Sequence, residues 1–354
     1  MDILNLKTLV RSLPREERKI FRRIFRVEEA IGSLKIPAEL RRRLDKSILF
    51  ERQKIVKVTN RVTFEGTYFN MLRALRPIEA KVGNVKNRIL RVEGCPFCSP
   101  LKETAEDIFG RISGKHGVTA SNLAKYDGWH GLIIFKRHNP LEWTREEVLD
   151  NFRLALKWFS EAHKHDREAI YPFLVWNCLW RAGASIIHGH FQLTLSRTPH
   201  PKIENLHRQA RKYQAKYGSN YFEDLYKVHK SLGLAAKLRE VYILAYLTPI
   251  KEGEILVFSW RLNLNFFKTL IGCLETYRKL RVETFNLALT MPPMVEVEGW
   301  KDFPIIARLV DRGKLIEQTS DLGGMELYAA SIVSSDPFKL AEELRKNVSS
   351  LKIS

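Results

Sequence analysis

The sequence predicts an α+β protein with two tandem units, each with an antiparallel sheet and a flanking helix, behind an N-terminal helical extension. Two observations carry this. The order strand, helix, strand, strand occurs twice along the 354 residues, as in a duplicated unit whose letters have diverged. Within the first copy, the run from Ser185 to Ser196 alternates polar and apolar residues with the two-residue period of a strand.

Residues 1 to about 47 read as two or three short basic helices. Pro14 opens a segment in which Phe21, Ile24, Phe25 and Val27 recur at near-helical spacing, and Pro37 starts another. In the first copy Gly131 to Phe135 is a strand, and a helix opens at Thr144 with Glu147 in capping-box register. Phe173 to Trp176 and Ser185 to Ser196 are the next strands. His200 to Leu238, rich in Lys and Arg, reads as a helical connector. In the second copy Val241 to Leu247 and Glu254 to Trp260 are strands, a helix covers Asn265 to Leu280, and Phe285 to Leu289 and Pro304 to Val310 are strands again. A last helix begins near Pro337, with Ser335 and Asp336 as cap candidates. The expected organisation is a basic helical region over 1–50, a first unit over 51–200 and a second over 201–354.

With 45% hydrophobic and 28% charged residues, the chain is too apolar to be disordered. No apolar run approaches the roughly 18 residues of a membrane span, and the start carries no signal-peptide core, so a cytoplasmic protein is expected. Four cysteines are too few for a disulfide scaffold. The net charge of +19 attracts polyanions, and nucleic acid, acidic membrane and phosphorylated metabolites all satisfy it. The Arg-rich start fits a nucleic-acid-binding arm or a helix packed on the body with a solvated basic face.

Read as a strand, Ser185 to Ser196 sets His188, His190, Gln192, Thr194 and Ser196 on one side and Ile187, Phe191, Leu193 and Leu195 on the other. Two imidazoles and an amide in i, i+2, i+4 register against an apolar back point to chemistry. Just upstream, Ala182-Gly183-Ala184-Ser185 lets backbone amides approach an anion, and Asn177 and Ser185 can donate to its oxygens. Cys95-Pro96-Phe97-Cys98 suits a metal if two more ligands arrive from among His116, His130, His138, His163, His165, His188 and His190. His138 follows a strand directly and His188 shares a face with His190. Cys95, Cys98, His138 and His188 can therefore close a structural zinc site that leaves His190 free.

These residues resemble the galactose-1-phosphate uridylyltransferase family of the histidine-triad superfamily, which includes ADP-glucose phosphorylase-like members. Asn177, Gly183-Ala184-Ser185 and His188-Gly189-His190-Phe191-Gln192 are similar to its Asn, Gly-Ala-Ser and His-Pro-His-x-Gln signature. The resemblance implies two histidine-triad-like units, His190 as nucleophile beside Gln192, and zinc held by Cys95, Cys98, His138 and His188. Arg73 and Arg76, in Arg73-Ala74-Leu75-Arg76-Pro77, are similar to an Arg-x-x-Arg-Pro near phosphates, and Ser121-Asn122 falls where nucleoside contacts lie. Gly324-Met325-Glu326 resembles the Gly-Tyr-Glu hexose contact, implying a homodimer in which Glu326 serves the partner's site. The chain departs from the pattern in three places. Gly189 replaces Pro, Met325 replaces Tyr, and Pro304-Ile305-Ile306-Ala307-Arg308 lacks the second histidine pair of many relatives.

A neutral imidazole is a capable nucleophile near pH 7, and a nucleotidyl-histidine divides one exchange into two displacements, which implies ping-pong kinetics. Gln192 can bond a phosphoryl oxygen but cannot protonate a leaving group, which favours good leaving groups such as sugar phosphates over hydrolysis. The expected activity is a nucleotidylyltransferase acting on a nucleotide sugar and a hexose 1-phosphate. Alternatives are a nucleotide-sugar or dinucleoside-polyphosphate phosphorylase and, from a different class, a zinc-containing nucleic-acid-binding protein.

Overall fold

The computed structural model describes residues 1–43, 51–75, 85–317 and 320–351. At the N-terminus α1 (Leu6–Ser12) and α2 (Arg15–Ile24) lead into β1 (Phe25–Ser33), and α3 (Ala38–Arg43) follows. Phe25 and Val27, expected on a helix, lie in β1. Phe25, Val27 and the residues after them pair along their whole length with β2 (Arg52–Asn60), and that ladder overrides the local spacing. β3 (Gly66–Phe69) extends this small sheet, and a late strand, Ser331–Val333, joins β3 in parallel.

Short helices α4 (Val85–Leu90) and α5 (Pro100–Glu103) precede the first unit, which runs β4 (Gly117–Ser121), β5 (Trp129–Phe135), α6 (Arg145–His165), β6 (Tyr171–Cys178) and β7 (His190–Ser196). Thr144 and Glu147 form the reciprocal cap of α6. The connector supplies α7 (Pro201–Tyr217) and α8 (Tyr221–Ser231), but its last residues form β8 (Ala235–Leu238), paired with β9 (Val241–Ala245). The second unit continues with β10 (Ile255–Ser259), α9 (Leu264–Lys279), β11 (Phe285–Thr290) and β12 (Ile305–Asp311). After it come α10 (Gly324–Tyr328), β13 (Ser331–Val333) and α11 (Pro337–Leu351), where the Asp336 carboxylate accepts from the Phe338 N–H at 3.0 Å.

The two units share one nine-stranded sheet, β4-β5-β7-β6-β11-β12-β10-β9-β8. They meet where β6 and β11 pair antiparallel, Phe173 opposite Thr290 and Cys178 opposite Phe285. The order β4-β5-β7-β6 is answered by β9-β10-β12-β11, so the duplicated grammar of the sequence becomes a pseudo-twofold. α6 and α9 pack together on one face, with Phe152 stacked on Phe191 of β7 at 5.0 Å and on Phe267 of α9 at 4.9 Å. Burying each such ring is worth roughly 2 kcal/mol. β12 stands where β7 stands in the first unit and carries no histidine. Its Arg308 instead bonds Glu254 and Glu65, each at 2.5 Å, fixing the β2–β3 turn onto the second unit.

α6 approaches β5 closely because Gly131 has no side chain: a Cβ there would lie 2.4 Å from the Trp158 ring. That ring cannot move aside, since its Nε1–H donates to Asp107 at 2.7 Å. Gly131→Ala is expected to destabilise the protein by about 3 kcal/mol, measured by denaturant unfolding.

At the end of β12, burial raises the Asp311 carboxyl to about 6, helped by the nearby charges of Glu252, Glu283 and Glu317. The folded chain holds that proton more tightly than the unfolded one. The group's stabilisation is therefore fully present below the ordinary carboxylate range and is lost as pH rises through about 6. Asp311→Asn keeps an oxygen for the Gly313 N–H, now 2.8 Å away. It is expected to gain about 2 kcal/mol at pH 7.5 and nothing near pH 4, read from thermal midpoints at the two pH values.

Candidate active site

β7 begins only at His190, not at Ser185. β6 ends in a turn that holds Leu179 at φ 70° and Gly183 at φ 92°, and residues 183–189 cross the sheet's end without pairing in a strand. A non-glycine residue such as Leu179 takes that conformation only where its surroundings impose it. Among the described residues the backbone N–H groups of Ser185, Ile186, Ile187 and His188 have no hydrogen-bond partner. These four consecutive unpaired donors, separated from His190 by Gly189 alone, are available to an anion.

His190 is buried, and its Nδ1–H donates to the His188 carbonyl at 2.8 Å. That bond fixes the tautomer and leaves the Nε2 lone pair free. Burial also holds the imidazole below its ordinary pKa, so it is neutral at pH 7. The Phe97 ring meets it edge-on at 5.1 Å. Phe97, Val118, Ala120, Leu132 and Ile134 make a second, smaller apolar cluster, which floors this face of β4 and β5. Gly189 does more than loosen the chain. Its N–H donates to the His138 carbonyl at 3.2 Å, a bond that Pro cannot make, and a Cβ there would meet Phe135 at 2.8 Å.

Of the seven histidines weighed as metal ligands, two reach the cysteines. His138 Nδ1 is 3.3 Å from Cys98 Sγ, and His188 Nδ1 is 3.5 Å from Cys98 Sγ and 3.6 Å from Cys95 Sγ. Zinc bonded tetrahedrally to sulfur and nitrogen separates those atoms by about 3.6 Å. The four ligand atoms lie within 4.8 Å of one another. His188 donates its Nε2–H to the Phe135 carbonyl at 2.6 Å, which turns the Nδ1 lone pair toward the cysteines. Burial lowers its pKa to about 4, so the ring is available as a neutral ligand. Burial and the neighbouring Cys95 raise the Cys98 thiol to about 11, a cost that a bound dication would reverse. The residues therefore fit a zinc ion.

The other expected site residues divide. Gln192 follows His190 on the same face of β7, and Val175 of β6 and Leu132 of β5 are its cross-strand neighbours. Asn177 stands at the end of β6, where its Oδ1 accepts from Asn286 at 2.7 Å. Ser121 ends β4 and Asn122 follows it. Ser121 accepts from Lys125 at 2.7 Å, and Asn122 Nδ2 lies 3.1 Å from His130 Nε2, which in turn is 3.3 Å from Gln192 Oε1. Gly183 and Ser185 are exposed at the turn. Arg73 is exposed after β3 with no hydrogen bond or ion pair to the His190 strand among the described residues, and Arg76 lies outside them. Glu326 accepts from the Gly323 N–H at 3.0 Å and sits 3.9 Å from Lys251. Tyr126 and Asn286 have no place at this site in the sequence reading, His130 enters it as a candidate metal ligand alone, and Phe97 as a letter of the Cys95–Cys98 motif. Tyr126 comes from the loop between β4 and β5 and Asn286 from β11, both far in sequence from His190 and without a local signal.

No family model matches the chain, and a search of curated proteins finds no match either. Solved structures do match. An ADP-glucose phosphorylase from Arabidopsis thaliana superposes with a TM-score of 0.61 at 17% identity, over 81% of this chain and 97% of that one. A uridylyltransferase superposes with a TM-score of 0.58 at 12% identity, over 84% and 99%. The chain has the uridylyltransferase fold. A GalT-like protein from Arabidopsis thaliana shares that fold, with a TM-score of 0.58 at 17% identity over 72% and 92%. In this uridylyltransferase fold the chain places His190, the free amides and the Cys/His cluster at one end of the sheet, and among the described residues no helix is long and apolar enough to cross a membrane.

Proposed function

We propose that the protein is a nucleotidylyltransferase that moves a nucleoside monophosphate between a nucleotide sugar and a hexose 1-phosphate through His190. The observation that supports this most is the pairing of a buried, neutral imidazole of fixed tautomer with the row of free amides before it. In the first half-reaction the His190 Nε2 lone pair attacks the α-phosphorus. A P–N bond forms, the P–O bond to the β-phosphate breaks, and hexose 1-phosphate leaves with the electron pair. In the second, a phosphate oxygen of the acceptor attacks and the imidazole departs. The Nδ1–H stays on the His188 carbonyl throughout, so the positive charge that develops on the ring is spread onto that oxygen. Amides 185–188 and the Gln192 amide offset charge on the transferring group, the main route to rate in phosphoryl transfer. Zinc, held by Cys95, Cys98, His138 and His188, would serve as a structural tie for the segment before β7.

Solved proteins of this fold include an ADP-glucose phosphorylase bound to ADP-glucose. Orthophosphate as acceptor is accordingly the second reading, and it gains from Met325 at the proposed hexose contact. Isotope exchange decides between them. Labelled hexose 1-phosphate should enter nucleotide sugar with no second nucleotide present, as ping-pong chemistry requires. That first half-reaction is common to both readings, so labelled orthophosphate entering nucleoside diphosphate as well would assign the phosphorylase, and no exchange of either label would reject both. Oligonucleotide binding that weakens with salt and persists in His190→Ala would support the nucleic-acid alternative.

The same reading includes a homodimer in which Glu326 contacts the sugar at the partner's His190. Mixing inactive His190→Ala with inactive Glu326→Ala is expected to restore up to about a quarter of wild-type activity through hybrid dimers with one intact site in each pair. No recovery despite proven subunit exchange would remove Glu326 from this role.

A further inference from the structure

We infer that Tyr126, with His130 behind it, sets the orientation of the Gln192 amide so that Nε2 and not Oε1 faces the transferring phosphoryl group. The inference rests on the nucleotidyl-transfer reading above. A glutamine amide can be turned by 180°. One orientation donates to a phosphoryl oxygen, and the other presents a second acceptor and repels it. Neither the strand nor the sequence chooses between them.

The loop between β4 and β5 makes the choice. The Tyr126 hydroxyl donates to Gln192 Oε1 at 3.1 Å, and His130 Nε2 lies 3.3 Å from the same oxygen. The Tyr126 backbone N–H also reaches His130 Nδ1 at 3.4 Å, which ties the loop to the ring. The Asn122 amide, whose Oδ1 accepts from the Ala124 N–H at 3.0 Å, presents its Nδ2 donor to His130 Nε2 at 3.1 Å and competes for that nitrogen, so the Tyr126 hydroxyl carries the orientation. The Tyr126 ring is 65% exposed and rests on the buried His130, with centroids 3.8 Å apart. Its hydroxyl can therefore be removed without opening the core. With Oε1 engaged by the Tyr126 hydroxyl, the Nε2 hydrogens are the groups left for a ligand. Tyr126 and His130 are positioning residues, acting through Gln192.

Two readouts test this. The chain has five glutamines, at 53, 192, 209, 214 and 318, so selective 15N labelling gives five side-chain amide pairs, and the Gln192 pair is the one missing in Gln192→Ala. Tyr126→Phe should shift or broaden that pair and leave the other four unmoved. In single-turnover nucleotidylation, Tyr126→Phe should slow the wild type by about 3- to 10-fold, the worth of one neutral hydrogen bond. It should have no effect in the Gln192→Ala background. An unmoved Gln192 pair, or equal slowing in both backgrounds, would overturn the assignment. If the wild type forms no adduct, nucleotidyl transfer itself fails, and the amide spectra still decide the orientation.

Discussion

His190→Ala is expected to form no nucleotidyl adduct and to lose on the order of 10⁴–10⁶-fold in turnover, the scale seen when a hydrolase loses its nucleophile. Zinc content should be unchanged. The expectation follows from the division of labour between two neighbouring imidazoles. His188 turns its Nδ1 toward the cysteines and donates its Nε2–H to a carbonyl, so both of its nitrogens are committed. His190 commits only Nδ1. Loss of the ring leaves a small cavity against Phe97, which the smaller apolar cluster can absorb at a cost of about 1–2 kcal/mol. Activity assays, elemental analysis and thermal unfolding of the one variant separate a chemical role from a structural one.

The second large effect is expected from Cys95→Ser combined with Cys98→Ser. The thiols flank one short turn, Pro96–Cys98 capped by Cys95, whose Phe97 is also the edge-on partner of His190. The double variant leaves two hydroxyls in place of the thiols and the Nδ1 atoms of His138 and His188 with no metal to gather them beside the nucleophile, and His138 Nε2 is already buried without a partner among the described residues. Zinc should fall from one per chain to none. Activity should fall by more than about 100-fold, since removing only an outer partner of a metal ligand costs 10- to 100-fold. Full zinc occupancy in the double variant would remove these four residues from the metal site.

Much of this was legible in the sequence because the signals are local or periodic. The repeated element order foretold the pseudo-twofold sheet, Thr144 and Glu147 foretold the start of α6, and the Cys95/Cys98 spacing with His138 and His188 foretold a cluster that the fold assembles. The alternation holds from His190 onward but does not extend upstream to Ser185. Leu179 and Gly183 bend the chain with positive φ angles, and the four residues before Gly189 leave their amides outside any ladder. β1 was read as helix because Phe21, Ile24 and Phe25 fit a helical face, whereas its pairing with β2 is a tertiary fact. The Tyr126, His130 and Gln192 contact spans 66 residues and three strands, and no local pattern announces it.

The most direct test of the central claim is to incubate wild-type protein with nucleotide sugar and no acceptor, quench in base, digest and map the modified residue by mass spectrometry. The account predicts one nucleoside monophosphate on His190, stable to base and released by acid as a phosphoramidate is. A label on any other residue, or turnover with no adduct trapped from any donor, would contradict it.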